Sequence, residues 1–178
     1  DRMQHDGWLE TMLHHRFPGH QLSFRNLGFP GDELKTRPRS ANFGDANQWL
    51  TKVHADVVFC FFGYNEALRG PDAVDSFKND LAGVIDGMKG QKYNGESAPR
   101  LVFFSPIAHE DLDDPNLPGG SENNYRLAMY TEAIREVADG NDVTFVDIFQ
   151  PTQRLYGQME EPLTINGIHF TSTGNRRL

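Results

Sequence analysis

Hydrophobic and polar positions follow two alternating patterns along the chain. Three short runs, "DVVFCFFG" (56–63), "RLVFFSPI" (100–107) and "DVTFVDIF" (142–149), are rich in Val and Phe, lack strict alternation and end in polar or turn-forming residues. Such runs read as strands of a parallel sheet, buried on both faces. A weaker fourth run, "QLSFRNLG" (21–28), stands where a further strand is expected. Between the runs the apolar spacing changes to three and four. Val74, Phe77, Leu81, Ile85 and Met88 form one helical stripe within 71–89, and Pro71 suits a first helical position. Ser121 is placed to cap a second helix that runs to about Ala138 and ends before Gly140. Trp8, Leu9, Met12, Leu13 and Phe17 give the opening helix an apolar face, and Pro18-Gly19 stops it.

Strand and helix therefore alternate throughout, and right-handed crossovers turn that order into a doubly wound α/β fold. The expected architecture is a flavodoxin-like three-layer α/β/α sandwich with a mostly parallel sheet. No internal repeat or linker interrupts it, and "EDLDDPNLPGG" (110–120) reads as a long surface loop. A chain of 178 residues can bury one sizeable core, so residues 1–178 are expected to form a single domain. Sheets of this kind ordinarily open on a strand, whereas this sequence opens on a helix just after Asp1. The first strand is accordingly expected upstream, and the domain is expected to be truncated at both ends.

Composition removes several function classes. Hydrophobic content of 38% and charged content of 24% are globular values. A net charge of −8 argues against a nucleic-acid surface, which would gather Lys and Arg on one face. The densest basic stretch, Lys35 to Arg39, is short and reads as a solvated loop. No apolar run approaches the roughly 20 residues of a membrane-spanning helix. The one cysteine, Cys60, sits inside an apolar run and reads as a small buried hydrophobe that cannot form an internal disulfide. The histidines lack metal-ligand spacing, and "LGFPGDEL" lacks the dinucleotide fingerprint, so neither a metal nor a nucleotide cofactor is expected.

In open α/β sheets, ligands collect beyond the carboxyl ends of the strands. After the run at 21–28 comes "NLGFPGDEL" with Gly28 and Gly31; after 56–63 comes "FFGYNEA" with Asn65; after 100–107 comes "SPIAHEDL" with His109. Near the C-terminus "INGIHF" carries Asn166 and His169. Taken in order, "PGDEL", "GYNE" and "NGIH" resemble the SGNH (GDSL-like) hydrolase superfamily, and the resemblance runs over the whole chain. It implies the backbone N–H of Gly31 and the side-chain amide of Asn65 as oxyanion donors, and His169 as the base that activates a serine. Asn166 stands where that family has Asp. The family's serine block precedes a helix matching the one that opens here at Arg2, so the serine is expected upstream of Asp1.

The activity implied by the resemblance is hydrolysis of carboxylic esters, such as acetyl or other short acyl groups on a carbohydrate or small molecule, without cofactor. Similar domains occur inside larger secreted bacterial proteins, which implies a periplasmic or extracellular setting. The Asn at 166 opens a second reading, a catalytically silent module that keeps the cleft to bind a ligand or partner. An Asn can accept from imidazole through its oxygen, but it can also present its NH2 and favour the wrong tautomer. Glu33, Glu66, Glu110 and Asp111 lie on loops at the same end of the sheet and could supply a substitute carboxylate. Each residue also has a plainer reading. Gly31 can serve a turn, Asn65 an Asx turn or cap, Asn166-Gly167 a turn pair, and His169 the start of the last helix. His109 is either a substrate contact or a loop-stabilising residue.

Overall fold

The computed structural model describes residues 5–178. Helix α1 (Trp8–Arg16) and helix α2 (Ala46–Lys52) precede strand β1 (Val57–Phe61), which leads into the short helix α3 (Tyr64–Ala67). A 3-10 turn (Pro71–Ala73) starts the long helix α4 (Val74–Lys89), followed by β2 (Arg100–Phe104) and helix α5 (Gly120–Gly140). Strand β3 (Thr144–Val146), α6 (Phe149–Tyr156) and α7 (Ser172–Arg177) complete the order. The three strands form one parallel sheet in the order β1-β2-β3, the α/β arrangement with a parallel sheet expected from the alternating pattern.

Register explains where the core sits. Val58 pairs with Leu101, Cys60 with Phe103, and Phe103 with Phe145. Because side chains alternate along a strand, these residues share one face. Helices α4 and α5 cover it with Phe77, Leu81, Ile85, Leu127, Tyr130 and Ile134, all part of a single apolar cluster. Phe77 and Tyr130 meet at 4.9 Å between ring centroids. Fully burying side chains of this size stabilises by about 1.5–3 kcal/mol each. On the opposite face Phe59, Phe61 and Phe104 pack on one another, with Phe61 stacked on Phe104 at 4.4 Å. Phe61 nevertheless stays 44% exposed, so burial on both faces, as the runs suggested, is met on one.

Several predicted elements change. Residues 21–28 form no strand, and among the described residues β1 pairs with β2 alone. A strand exists through its ladder, and here the local polar groups find other partners. Gly28 N–H donates to Asn26 Oδ1 at 2.8 Å, and the Leu27 carbonyl accepts from Arg39 at 3.1 Å. The third predicted strand ends at Val146 because buried Ser105 intervenes, its Oγ accepting from the Ile148 and Phe149 N–H groups at 2.8 and 2.9 Å. Ser121 lies inside α5 rather than capping it; Gly119 holds the cap position, and Asp111 Oδ2 accepts the Gly120 N–H at 3.1 Å. Donation from Gly120 and Asp113 holds the Asp111 carboxyl below its usual pKa. The predicted apolar face of α1 is not buried, and Met12 is 49% exposed. Helix α2 was not predicted; its signal is the Asp45/Gln48 capping box.

Candidate active site

The loop that carries Gly31 is held by charge. Gly31 adopts φ +82°, a left-handed conformation that favours glycine, and so lets the chain turn ahead of Asp32. Arg39 grips that Asp32 with both arms of its guanidinium, at 2.6 and 2.8 Å, and lies over the Phe29 ring at 4.8 Å. A fork of this kind is stronger and more directional than a single neutral bond. Arg39 is therefore a structural clamp, where the basic stretch alone read as a solvated loop.

The Asn65 turn docks onto the same loop. Gly63 takes φ +105°, and a Cβ there would meet Ile134 Cδ1 at 3.0 Å. The chain can thus turn tightly off β1 into α3. Asn65 Nδ2 donates to the Asp32 carbonyl at 3.0 Å, bringing Asn65 beside the residue that follows Gly31. Buried Glu66 reinforces the junction, accepting from Leu34 N–H and from Gly63 N–H, each at 2.9 Å. Its carboxylate bridges the glycine loop to the end of β1, a role not read from the sequence.

The histidine lies on a hairpin. Thr164 and Phe170 form an antiparallel bridge, Ile165 N–H donates to the His169 carbonyl at 2.9 Å, and Thr171 N–H donates to the Leu163 carbonyl at 2.8 Å. Asn166 and Gly167 occupy the turn, Gly167 at φ +87°. The pair thus forms the turn, and the Asn166 side chain lies against His169. Asn166 Oδ1 accepts the His169 backbone N–H at 3.1 Å and faces His169 Nδ1 at 2.9 Å. The backbone N–H can only donate, so the atom facing it must be the amide oxygen. That same oxygen faces Nδ1, which then carries the ring proton and leaves Nε2 as the basic nitrogen.

His109 is 4% exposed, and its ring is ringed by partners. Nε2 lies 3.1 Å from the Pro118 carbonyl, which can only accept, so Nε2 holds the proton. Nδ1 then accepts from Tyr64 Oη at 3.0 Å and from Asn123 Nδ2 at 3.1 Å. Burial pushes the Tyr64 phenol up to about 12, so it remains a donor. Through Tyr64 the ring ties the Asn65 turn to the segment after β2. That segment in turn touches the histidine hairpin: Glu110 N–H donates to the Gly167 carbonyl at 2.9 Å, and a Cβ on Gly167 would lie 2.3 Å from His109 Nε2.

The four carboxylates named as substitutes are committed elsewhere. Glu33 pairs with Arg69, Glu66 holds Leu34 and Gly63, Glu110 accepts from Leu163 and Thr164, and Asp111 caps α5. Among the described residues, no cluster of three or more His, Cys, Asp or Glu side chains could hold a metal, and no helix is long and apolar enough to cross a membrane.

No curated protein matches the chain. Solved structures do. LAE5, an alpha/beta hydrolase enzyme from the metagenome of Lake Arreo in Spain, superposes with a TM-score of 0.66 at 17% identity, over 95% of this chain and 74% of its own. Axe2, an acetylxylan esterase from Geobacillus stearothermophilus, gives 0.52 at 15% identity, over 71% of this chain and 57% of its own. The inhibitor-bound M. smegmatis aryl esterase gives 0.52 at 16% identity, over 74% of this chain and 60% of its own. At such identities the likeness is one of fold, and this chain spans less than two thirds of the length of most of these structures. The sequence model of the GDSL-like lipase/acylhydrolase family matches residues 4–177. That span takes in the glycine loop, the Asn65 turn and the histidine hairpin together, and the chain belongs to the GDSL-like lipase/acylhydrolase family.

Proposed function

We propose that this domain hydrolyses carboxylic esters, with acetyl or other short acyl groups on a carbohydrate or small molecule as substrates, through a Ser-His mechanism. The observation that carries the reading is the orientation of Asn166. Its amide oxygen, not its NH2, faces His169 Nδ1 at 2.9 Å, which leaves Nε2 as the base. In the reaction a serine hydroxyl gives its proton to Nε2 as its oxygen attacks the acyl carbon. The carbonyl oxygen becomes negative and takes hydrogen bonds from Gly31 N–H and from Asn65. An amide nitrogen has two N–H groups; one meets the Asp32 carbonyl, and the other is assigned to the oxyanion. Collapse expels the alcohol, which takes the proton from His169, and water then repeats the sequence on the acyl-enzyme. Burial of His109 gives no support to a substrate contact there. The acetylxylan esterase activity of Axe2, whose fold is shared, favours a short acyl group.

A second reading, a silent binding module, is favoured by one feature: Asn166 brings no negative charge to stabilise an imidazolium. Two experiments separate the readings. The natural sequence preceding Asp1 should hold a serine in a Gly-Asp-Ser-like block, and a residue there without hydroxyl or thiol removes the serine mechanism. The natural full-length protein should hydrolyse a chromogenic short-chain acyl ester, and His169→Ala should abolish that activity. Equal rates remove His169 from the mechanism.

A further inference from the structure

We infer that Glu110 is the positioning residue of the histidine hairpin, holding Asn166 and His169 in register with the end of β2. Its side chain is 6% exposed and makes no ion pair among the described residues. Instead it accepts from one arm of the hairpin: Leu163 N–H at 2.9 and 3.1 Å, Thr164 N–H at 2.6 Å and Thr164 Oγ1 at 2.6 Å. Because the Thr164 hydroxyl gives its proton to Glu110, its oxygen is left to accept, and it takes the Gly167 N–H at 2.9 Å. Glu110 N–H donates to the Gly167 carbonyl at 2.9 Å. Both backbone groups of the residue after Asn166 are thus fixed by Glu110, one directly and one through Thr164.

The seat itself is rigid. Asn124 on α5 clamps the backbone of the preceding residue, accepting from His109 N–H at 2.7 Å and donating to its carbonyl at 2.8 Å. Ala108 N–H donates to Thr152 Oγ1 on α6 at 2.9 Å. The Glu110 side chain and the Glu110 backbone N–H together join the hairpin to that seat. A carboxylate suits that place because every group facing it is a donor. Glutamine has nearly the same volume but one of its two terminal atoms is an NH2, which would confront either Leu163 N–H or the Thr164 donors. The hairpin would have to shift, and a misplacement of about 1 Å at a catalytic group can cost about 100-fold in rate.

The kinetic part of the test rests on the hydrolase reading above, so a readout independent of turnover is paired with it. In the natural full-length protein, the His169 Nδ1–H proton shared with Asn166 is followed by NMR, alongside kcat and KM for a short-chain acyl ester. Glu110→Gln should unfold cooperatively yet shift or lose that resonance, and lower kcat about 10- to 100-fold with KM little changed. Thr164→Val should do the same, while Thr164→Ser, which keeps the hydroxyl, should restore both signals. Where Glu110→Gln does not fold, the Thr164 pair decides. A folded Glu110→Gln or Thr164→Val protein with resonance and kcat unchanged, or Thr164→Ser as impaired as Thr164→Val, overturns the assignment. A wild-type protein without hydrolysis whose resonance still responds to these substitutions keeps the assignment and removes only the hydrolase reading.

Discussion

Replacing Asn166 by Asp tests how the site handles charge. In the proposed reaction His169 would become an imidazolium as it takes the nucleophile's proton, with its Nδ1–H directed at the Asn166 oxygen, 2.9 Å away. A carboxylate there would face a unit positive charge with centres about 4 Å apart, worth about 4 kcal/mol at an effective dielectric of 20. At about 1.4 kcal/mol per factor of ten, that is close to a thousandfold in rate. In a serine protease the reverse change costs about ten-thousandfold, part of it because the imidazole adopts the wrong tautomer. Here the tautomer is already right, since the oxygen that accepts His169 N–H at 3.1 Å also meets Nδ1. Only the charge is missing, and His169 is half-buried, so solvent screens part of the gain. The expected outcome is a rise in kcat of about 100- to 1000-fold. It is measured as release of a chromogenic alcohol from a short-chain acyl ester by the natural full-length protein. An active wild type whose kcat does not respond to Asn166→Asp would mean that no positive charge develops beside residue 166, and His169 would not be the base. Two inactive proteins would point to the silent module.

Three further outcomes follow from the same geometry. Asn65→Ala should lower kcat by about 100- to 1000-fold through loss of one oxyanion donor, with urea denaturation showing a folded protein; a kcat within error of wild type removes Asn65 from the oxyanion site. Gly167→Ala should lower the urea midpoint by an amount equivalent to at least about 1–3 kcal/mol, because alanine is strained at φ +87° and its Cβ would press on His109 at 2.3 Å; an unchanged midpoint contradicts the packing of the hairpin on His109. Burial pushes the Cys60 thiol from 9.0 up to about 12. Above pH 9 the unfolded chain releases this proton while the folded one keeps it, so the contribution of this thiol to stability is constant below pH 9 and is lost between pH 9 and 12, by up to about 1.4 kcal/mol per pH unit. Urea midpoints across that range should fall less steeply for Cys60→Ala, and an identical slope would show the thiol is not the group responsible.

Much of the fold was legible in the order of residues because its signals are local. Three Val- and Phe-rich runs became β1, β2 and β3, and the three-and-four spacing of Phe77, Leu81 and Ile85 became the buried face of α4. Family membership was legible for a similar reason: "GYNE" and "NGIH" are short turns whose glycines take positive φ, so sequence and conformation coincide there. What failed depended on distant partners. Residues 21–28 have strand-like composition but no ladder, and α5 is capped by Asp111 from the preceding loop rather than by its own Ser121.

The site divides along the same line. By itself the sequence determined that Asn stands where a carboxylate was expected, so residue 166 brings no charge of its own. Tertiary structure alone decided which end of that amide faces the ring, that Arg39 turns inward to Asp32, and that Glu66 and Glu110 are buried structural acceptors rather than substitute orienters. A residue's formal charge is a property of its side chain and travels with the letter. The direction of a hydrogen bond depends on which donors the folded chain brings within about 3 Å, often from more than thirty positions away, and that is settled only when the elements pack.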